Sequence, residues 1–250
     1  MIPIYNSEPA DWRDLQNKVA KIYTDLGYET TVEKDIQTAR GTVNVDVFCT
    51  KSVSYLTDTN IVECKYWANS VPKTVVHAFR SVISDYGANT GYIISKNGFQ
   101  SGAFDAAKNS NVKLLTFDEF QAAFRTRWLD AVIDKIEEVG YPLRKYADPM
   151  EMFAASDYDS LPDERQMHIS QLMRKYYNIS LHSMRILYKD VMNGKLQLEY
   201  IDETVTRHYE DFPEIKISCL MDYFDIMQDT CVKAVNAFDE AYGKRLRKRG

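Results

Sequence analysis

In the first half of the chain, segments with the hydrophobic spacing of helices alternate with segments whose composition is typical of strands. Apolar residues recur at helical spacing from Trp12 to Leu26, between a capping aspartate and a glycine, which predicts a first helix. Similar spacing predicts later helices that begin at Pro72, after Gly98 and at Phe117. Runs rich in β-branched and aromatic residues predict strands between these helices, at 28–33, 42–50, 60–66, 91–95 and 112–115.

The order of these elements, α-β-β-β-α-β-α-β, predicts the fold class. Turn-forming residues at Arg40-Gly41 and at 57–60 separate the first three strands. A hairpin followed by helical crossovers implies a mixed sheet with helices packed on its faces. We therefore predict an α/β domain.

From about residue 122 the extended patterns stop and helical patterns replace them. Helices are predicted at 122–139, 163–177, 180–193, 198–210 and 216–243. Prolines separate them, at Pro142, Pro149, Pro162 and Pro213. The change predicts two domains, 1–121 and 122–250, and one domain with helices wrapped around the sheet is the alternative. Methionine and tyrosine are frequent in the helical half, where they suit a core or a partner interface.

Composition narrows the class of protein only a little. The chain of 250 residues carries a net charge of −5, which argues against a strong non-specific nucleic-acid binder. A metal-dependent nuclease remains compatible with that charge, because bound cations offset carboxylates locally. No segment is long and apolar enough to cross a membrane, and the first residues lack the pattern of a signal peptide. The four cysteines lack zinc-site spacing, so we expect a cytoplasmic protein with reduced thiols.

The candidate chemistry lies in two adjacent predicted strands. Glu63 and Lys65 share one strand face because side chains alternate, and Asp46 can meet Glu63 if the two strands pair. Two carboxylates beside an amine can hold a hard divalent cation next to a phosphate, or form a salt-bridged surface cluster. The apolar neighbours of Asp46 and Glu63 favour a cation site, since isolated charges in apolar strands are costly unless paired or metal-bound.

These residues resemble the PD-(D/E)xK nuclease superfamily, and in particular its Mrr-like restriction endonuclease branch. The resemblance covers roughly residues 11–120 and implies a restriction-endonuclease-like fold followed by a helical domain. It is carried by Leu26-Gly27-Tyr28, Val45-Asp46-Val47, Glu63-Cys64-Lys65, Tyr66-Trp67, Gly91-Tyr92-Ile93-Ile94-Ser95, Gly98-Phe99 and Ala103.

The resemblance implies Mg²⁺ as cofactor, with Mn²⁺ as a substitute. Asp46, Glu63 and the backbone carbonyl of Cys64 would be the ligands, and Lys65 would lie beside the attacking water. One position departs from the family pattern, because Gln16 stands where many Mrr-like proteins carry a glutamate. An amide can orient a metal-bound water, but it supplies no charge.

Further residues are candidates for contact with the nucleic-acid backbone. Arg40 precedes the hairpin that carries the acids, and a plain turn arginine is the alternative. Lys73 lies on the predicted helix after the motif. Ser95, Lys96 and Gln100 lie near the strand ends where ligands collect in open α/β sheets. For Tyr66 and Trp67 we expect packing against the neighbouring helix, with base stacking as the alternative.

By resemblance, the sequence predicts a metal-dependent endonuclease that acts on DNA in restriction or antiphage defence. The helical half would serve recognition, regulation or assembly, as a homo-oligomer or with a protein partner. One alternative is a catalytically weak or inactive nuclease-fold module that binds a protein or nucleic acid. Another is a nuclease directed at RNA or at DNA junctions, since phosphodiester chemistry is common to all of these.

Overall fold

A computed structural model describes residues 3–147, 158–185 and 219–243. By contacts, these residues form two compact units. One unit is Ser7–Trp128, and the other combines Met1–Asn6 with Leu129–Gly250 so far as they are described. The chain therefore begins in the second unit, crosses into the first and returns. The predicted division between 121 and 122 concerns functional domains and stays a prediction, because contact units need not act independently.

A five-stranded mixed sheet forms the centre of the Ser7–Trp128 unit, with the strands in the order β1-β2-β3-β4-β5. The strands are β1 (Glu29–Thr38), β2 (Gly41–Val53), β3 (Leu56–Lys65), β4 (Thr90–Ser95) and β5 (Val112–Thr116). The first three pair antiparallel, and β3, β4 and β5 pair in parallel. The mixed α/β sheet predicted from the sequence is confirmed.

Helices α1 (Trp12–Asp25), α2 (Lys73–Tyr86) and α3 (Ser101–Ala107) belong to the same unit, and α4 (Phe117–Ala147) follows β5. Asp11 caps α1 by accepting a hydrogen bond from the Asp14 amide at 2.8 Å. Apolar residues of α2 and α3 pack on one face of the sheet, around Ile61, Ile83 and Ile93. This packing holds β3 and β4 rigidly in place, and β3 carries Glu63 and Lys65.

The β2–β3 hairpin is longer than the sequence predicts. Its turn lies at Ser54 and Tyr55 rather than at 57–60, and Val53 pairs with Leu56. The polar run 57–60 belongs to β3, where Asp58 accepts a hydrogen bond from the Tyr28 hydroxyl at 2.5 Å. Polar residues at 57–60 predict a turn, but the Asp58 carboxylate accepts hydrogen bonds from Tyr28 and Asn60.

The helical unit contains α5 (Asp163–His182) and α6 (Leu220–Tyr242). The predictions at 163–177 and 216–243 correspond to these helices with shifted ends. The helix predicted at 180–193 does not begin at 180, because α5 continues to His182. The rest of that segment, beyond 185, and the helix predicted at 198–210 lie outside the described residues. Pro142, predicted to separate helices, lies inside α4.

None of the described helices has a stretch of the length and hydropathy needed to cross a bilayer.

Candidate active site

Asp46 and Glu63 face each other where β2 and β3 separate. The pairing of the two strands ends at Val47 and Val62, so the next opposed positions in this register are Asp46 and Glu63. Asp46 Oδ2 accepts a hydrogen bond of 2.6 Å from the backbone amide of Cys64. Beyond the end of the β2–β3 pairing, the Asp46 carboxylate accepts the hydrogen bond that a backbone carbonyl of β2 would otherwise accept from β3. This contact fixes the position of Asp46 and satisfies the buried Cys64 amide.

Gln16 joins the site from α1. Its side chain is 3% exposed, and Nε2 donates to Asp46 Oδ1 at 2.9 Å. Both oxygens of Asp46 therefore accept a hydrogen bond from the protein, and each retains a further lone pair. The Gln16 Oε1 atom is buried without a protein hydrogen-bond partner. An unpartnered buried acceptor is costly in a protein interior, so this atom calls for a donor such as an ordered water.

Glu63 and Lys65 form an ion pair through Glu63 Oε1 and Lys65 Nζ. The two side chains are 22% and 17% exposed, so they are largely desolvated and yet reachable from solvent. The strand period places them on one face of β3, Asp46 opposes Glu63 across the end of the hairpin, and Gln16 reaches Asp46 from α1. The four predicted catalytic residues are therefore brought together.

The electrostatics of the site favour a bound cation. Burial raises the pKa of Glu63 above its ordinary value, and the negative charge of Asp46 raises it further, against the opposing effect of Lys65. Burial and the nearby carboxylates also raise the pKa of the Cys64 thiol, which is 8% exposed. The strand period turns this thiol to the opposite face of β3 from Glu63 and Lys65. A divalent cation would relieve the repulsion between the two acids.

The donor set fits a hard cation. No group of three or more His, Cys, Asp or Glu side chains with metal-site geometry occurs among the described residues. Two carboxylate groups remain, with the unpartnered amide oxygen of Gln16 nearby. Mg²⁺ binds through one or two carboxylates and keeps several waters, whereas a structural zinc site needs four protein ligands. The residues present therefore fit Mg²⁺ or Mn²⁺.

Two of the predicted nucleic-acid contacts are not at this site. Arg40 lies in the β1–β2 turn, about 20 Å from Asp46 by the rise of a strand, and pairs with Asp85 at 3.1 Å. Ser95 is fully buried, and its hydroxyl donates to the Gly98 carbonyl at 2.9 Å. Ser95 therefore stabilises the loop after β4 and cannot reach a substrate phosphate.

The other three predicted contacts are exposed at the same end of the sheet as the acids. Lys96 follows Ser95, the partner of Lys65 in the register of β4, and its amide donates to the Lys65 carbonyl at 3.0 Å. Lys73 begins α2 and Gln100 precedes α3, and the Gln100 amide donates to the Val71 carbonyl at 3.0 Å. All three side chains are exposed to solvent, and the Lys96 ammonium lies 4.0 Å from the centroid of the Tyr66 ring.

Trp67 is more exposed than the predicted packing against the neighbouring helix suggests. Its indole is 43% exposed beside Lys65, whose Nζ lies 5.1 Å from the ring centroid. Tyr66 is half-buried, and its hydroxyl donates to the carbonyls of Pro9 and Ala10, at 2.9 and 3.0 Å. Trp12 is similarly exposed and was missed, because its helical spacing counts it among the core positions of α1.

A mixed sheet with paired carboxylates and a lysine at the end of its hairpin defines the fold of PD-(D/E)xK nucleases. A family model described as restriction endonuclease, of the Mrr catalytic type, matches residues 8–124. The match confirms the predicted resemblance of this part of the chain to that family. No curated protein matches the chain.

Among solved structures, the chain is similar to a crystal structure of a protein of unknown function, AF1548. The two share 12% sequence identity at a TM-score of 0.36, over 93% of this chain and 99% of that one.

Proposed function

We propose that this protein is a metal-dependent endonuclease that hydrolyses DNA phosphodiester bonds, with a role in restriction or antiphage defence. The observation that carries the proposal is the convergence of Gln16, Asp46, Glu63 and Lys65 within the region that matches the restriction endonuclease family. A salt-bridged surface cluster, the alternative left open by the sequence, does not account for a buried glutamine that holds the aspartate.

Each residue has a role that follows from its contacts. Asp46, Glu63 and the Cys64 carbonyl would hold Mg²⁺ or Mn²⁺, and Gln16 keeps Asp46 oriented. The cation, when bound, polarises the phosphate and offsets its developing charge. Lys65 is paired with Glu63 in the metal-free protein. With Glu63 engaged by a bound cation, the Lys65 ammonium would be free to donate to a phosphate oxygen and to favour deprotonation of the nucleophilic water.

Supercoiled plasmid tests the proposal directly. The purified chain should nick or linearise it with Mg²⁺ or Mn²⁺, and should lose at least about 100-fold in rate with EDTA, with Asp46→Ala or with Lys65→Ala, since charge-stabilising groups contribute on that order. Arg40→Ala is a matched control, because it removes a basic side chain away from the site. This variant should cleave plasmid like the wild type. Cleavage that persists in EDTA or in Asp46→Ala would remove the proposal.

Metal binding gives a second readout that does not need turnover. Calorimetric titration with Mn²⁺ should show binding by the wild type and none by Asp46→Ala. If Mn²⁺ binds and no DNA is cleaved, the catalytically weak binding module becomes the better description. The engagement of both Asp46 oxygens by protein donors is the observation that favours that second candidate.

A further inference from the structure

Two of the three tryptophans of this chain are exposed. Trp12 is 46% exposed and Trp67 is 43% exposed, whereas Trp128 is fully buried. An exposed indole leaves a large apolar surface in water, which proteins commonly use for recognition rather than for packing. The position of these two rings decides what they could recognise.

Each exposed indole neighbours a residue that contacts one of the two carboxylates. Trp12 precedes Gln16 by four residues on α1, so the two side chains share a helix face, and Gln16 contacts Asp46. Trp67 lies against Lys65, which pairs with Glu63. Trp12 thus shares a helix face with the residue that contacts Asp46, and Trp67 lies against the ion-pair partner of Glu63.

The two segments that carry the indoles are held in place. The Tyr66 hydroxyl donates to the Pro9 and Ala10 carbonyls, which ties the start of α1 to the loop after β3. Asn97 Nδ2 donates to the carbonyls of Trp67 and Ala68, at 2.8 and 2.9 Å. Because these contacts fix backbone rather than ring atoms, both rings stay available and little ordering is needed for a ligand to bind.

Cations accompany these aromatic rings. The Arg13 guanidinium lies 5.0 Å from the Trp12 ring centroid, and the Lys96 ammonium lies 4.0 Å from that of Tyr66. Positive groups next to stacking surfaces suit single-stranded nucleic acid, in which phosphates and base faces alternate. Base faces in a duplex are covered by neighbouring base pairs, so side-chain rings reach them only where bases are unpaired.

We propose that Trp12 and Trp67 stack on unpaired bases on the two sides of the carboxylates, and that the preferred substrate is DNA with unpaired bases at the scissile phosphate. This inference rests on the proposed nuclease function and names its substrate class. Single-stranded, gapped and branched DNA all have the required feature, and fully paired DNA lacks it.

Equilibrium binding of the full chain tests the inference. Fluorescently labelled oligonucleotides of one sequence are compared as a single strand, a gapped duplex and a full duplex, with Ca²⁺ in place of Mg²⁺ and integrity of the DNA checked on a denaturing gel. We expect at least about tenfold tighter binding to the two probes with unpaired bases, and quenching of tryptophan fluorescence by them, since stacking contributes about 1–3 kcal/mol per base.

The variants separate stacking from general binding. Trp12→Ala and Trp67→Ala should each weaken binding to the gapped probe about fivefold or more and change duplex binding less than twofold. Trp12→Phe and Trp67→Phe should restore most of the loss, because phenylalanine keeps a ring. Tyr55→Ala, which removes a fully exposed aromatic ring at the hairpin tip, should have no effect.

Three results would overturn the inference. Tight binding restricted to the full duplex would do so and leave the nuclease proposal intact. Alanine variants that bind the gapped probe like the wild type would show that the indoles do not stack on it. Binding to no DNA probe at all, together with no plasmid cleavage, would remove the nuclease proposal as well.

Discussion

At the scale of single residues, the electrostatics of the site depend on Gln16, a neutral amide at the position where many Mrr-like proteins carry a glutamate. Gln16 is buried and donates to Asp46, so it orients that carboxylate without adding a third acid to the Asp46–Glu63 pair. A glutamate in this place would add negative charge to a site where Asp46 already raises the pKa of Glu63. The absence of that charge lowers repulsion in the metal-free protein and also lowers the attraction for a cation.

Gln16→Glu should therefore trade stability for metal affinity. Without metal, the variant should lose about 1–3 kcal/mol of unfolding free energy, since it replaces a satisfied donor by a carboxylate facing a carboxylate. With Mn²⁺ it should regain that loss and bind the ion more tightly than the wild type. Urea unfolding with and without Mn²⁺ measures both effects. Tighter binding of Mn²⁺ by the wild type than by the variant would contradict the role given to Gln16.

Glu63 should make the metal-free protein less stable as pH rises. Its folded-state pKa lies above the ordinary value of 4.5, so the folded state binds more protons than the unfolded state between those two pKa values. Stability from this group is therefore highest below pH 4.5 and falls as pH rises through the raised pKa. Saturating Mn²⁺ should reverse the fall, because the cation binds the ionised form.

The difference in unfolding free energy between the wild type and Glu63→Gln isolates this effect from other carboxylates. Without metal, the wild type should become less stable relative to Glu63→Gln as the pH of a urea-unfolding series increases above 4.5. Glu29→Gln, at an exposed position of β1, controls for removal of an acid. Its unfolding free energy should change with pH in the same way as that of the wild type. If the difference in unfolding free energy between the wild type and Glu63→Gln does not change with pH, the folded state does not raise the pKa of Glu63.

How much of the site the sequence reveals depends on the range of each interaction. The meeting of Asp46, Glu63 and Lys65 follows from the two-residue period of strands and a hairpin register, both of which are readable locally. The carbonyl contacts of Tyr66 join residues 56 and 57 positions apart, and backbone acceptors carry no residue signature. The exposure of Trp12 likewise has no local signature, since Trp12 has the helical spacing of a core position.

At the scale of elements, strand β4 lies close to helix α2 because it carries Gly91. A methyl group built at Gly91 would come within 2.6 Å of Ile83 Cγ1 and 2.8 Å of Phe79 Cε1. Both neighbours are buried core residues, so they have little room to move. The sequence shows a glycine before a buried strand, but only the packed helix explains why no side chain fits there.

Gly91→Ala should thus lower the unfolding free energy by about 1–3 kcal/mol through overpacking. Gly102→Ala is the matched control, since its methyl would meet Lys73 Cδ at an ordinary 3.6 Å. That change lies in helix α3, where alanine is favoured over glycine by about 0.5–1 kcal/mol. Urea unfolding followed by circular dichroism compares the two. Equal stability of both variants would mean that α2 can shift to accept the methyl.

At the scale of the whole molecule, the helical unit is assembled from both ends of the chain. Helix α6 has no side-chain cap at Cys219. The Leu220 and Met221 amides instead donate to the carbonyls of Pro3 and Ile4, at 3.3 and 2.9 Å, and the Ile4 side chain is fully buried. Helix N-termini need such acceptors, but a remote backbone carbonyl leaves no local pattern, so the sequence gives no sign of this assembly.

Ile4→Ala should therefore destabilise the helical unit by about 2–5 kcal/mol, the usual cost of truncating a buried isoleucine. Hydrogen exchange measured by mass spectrometry should show faster exchange in Leu220–Tyr242 and unchanged exchange in Gly41–Val53. Ile36→Ala, which truncates a buried isoleucine of the sheet core, should give the reverse pattern. If each variant accelerates exchange equally in both segments, the two compact units unfold as one, and the role of the N-terminal segment cannot be assigned to the helices alone.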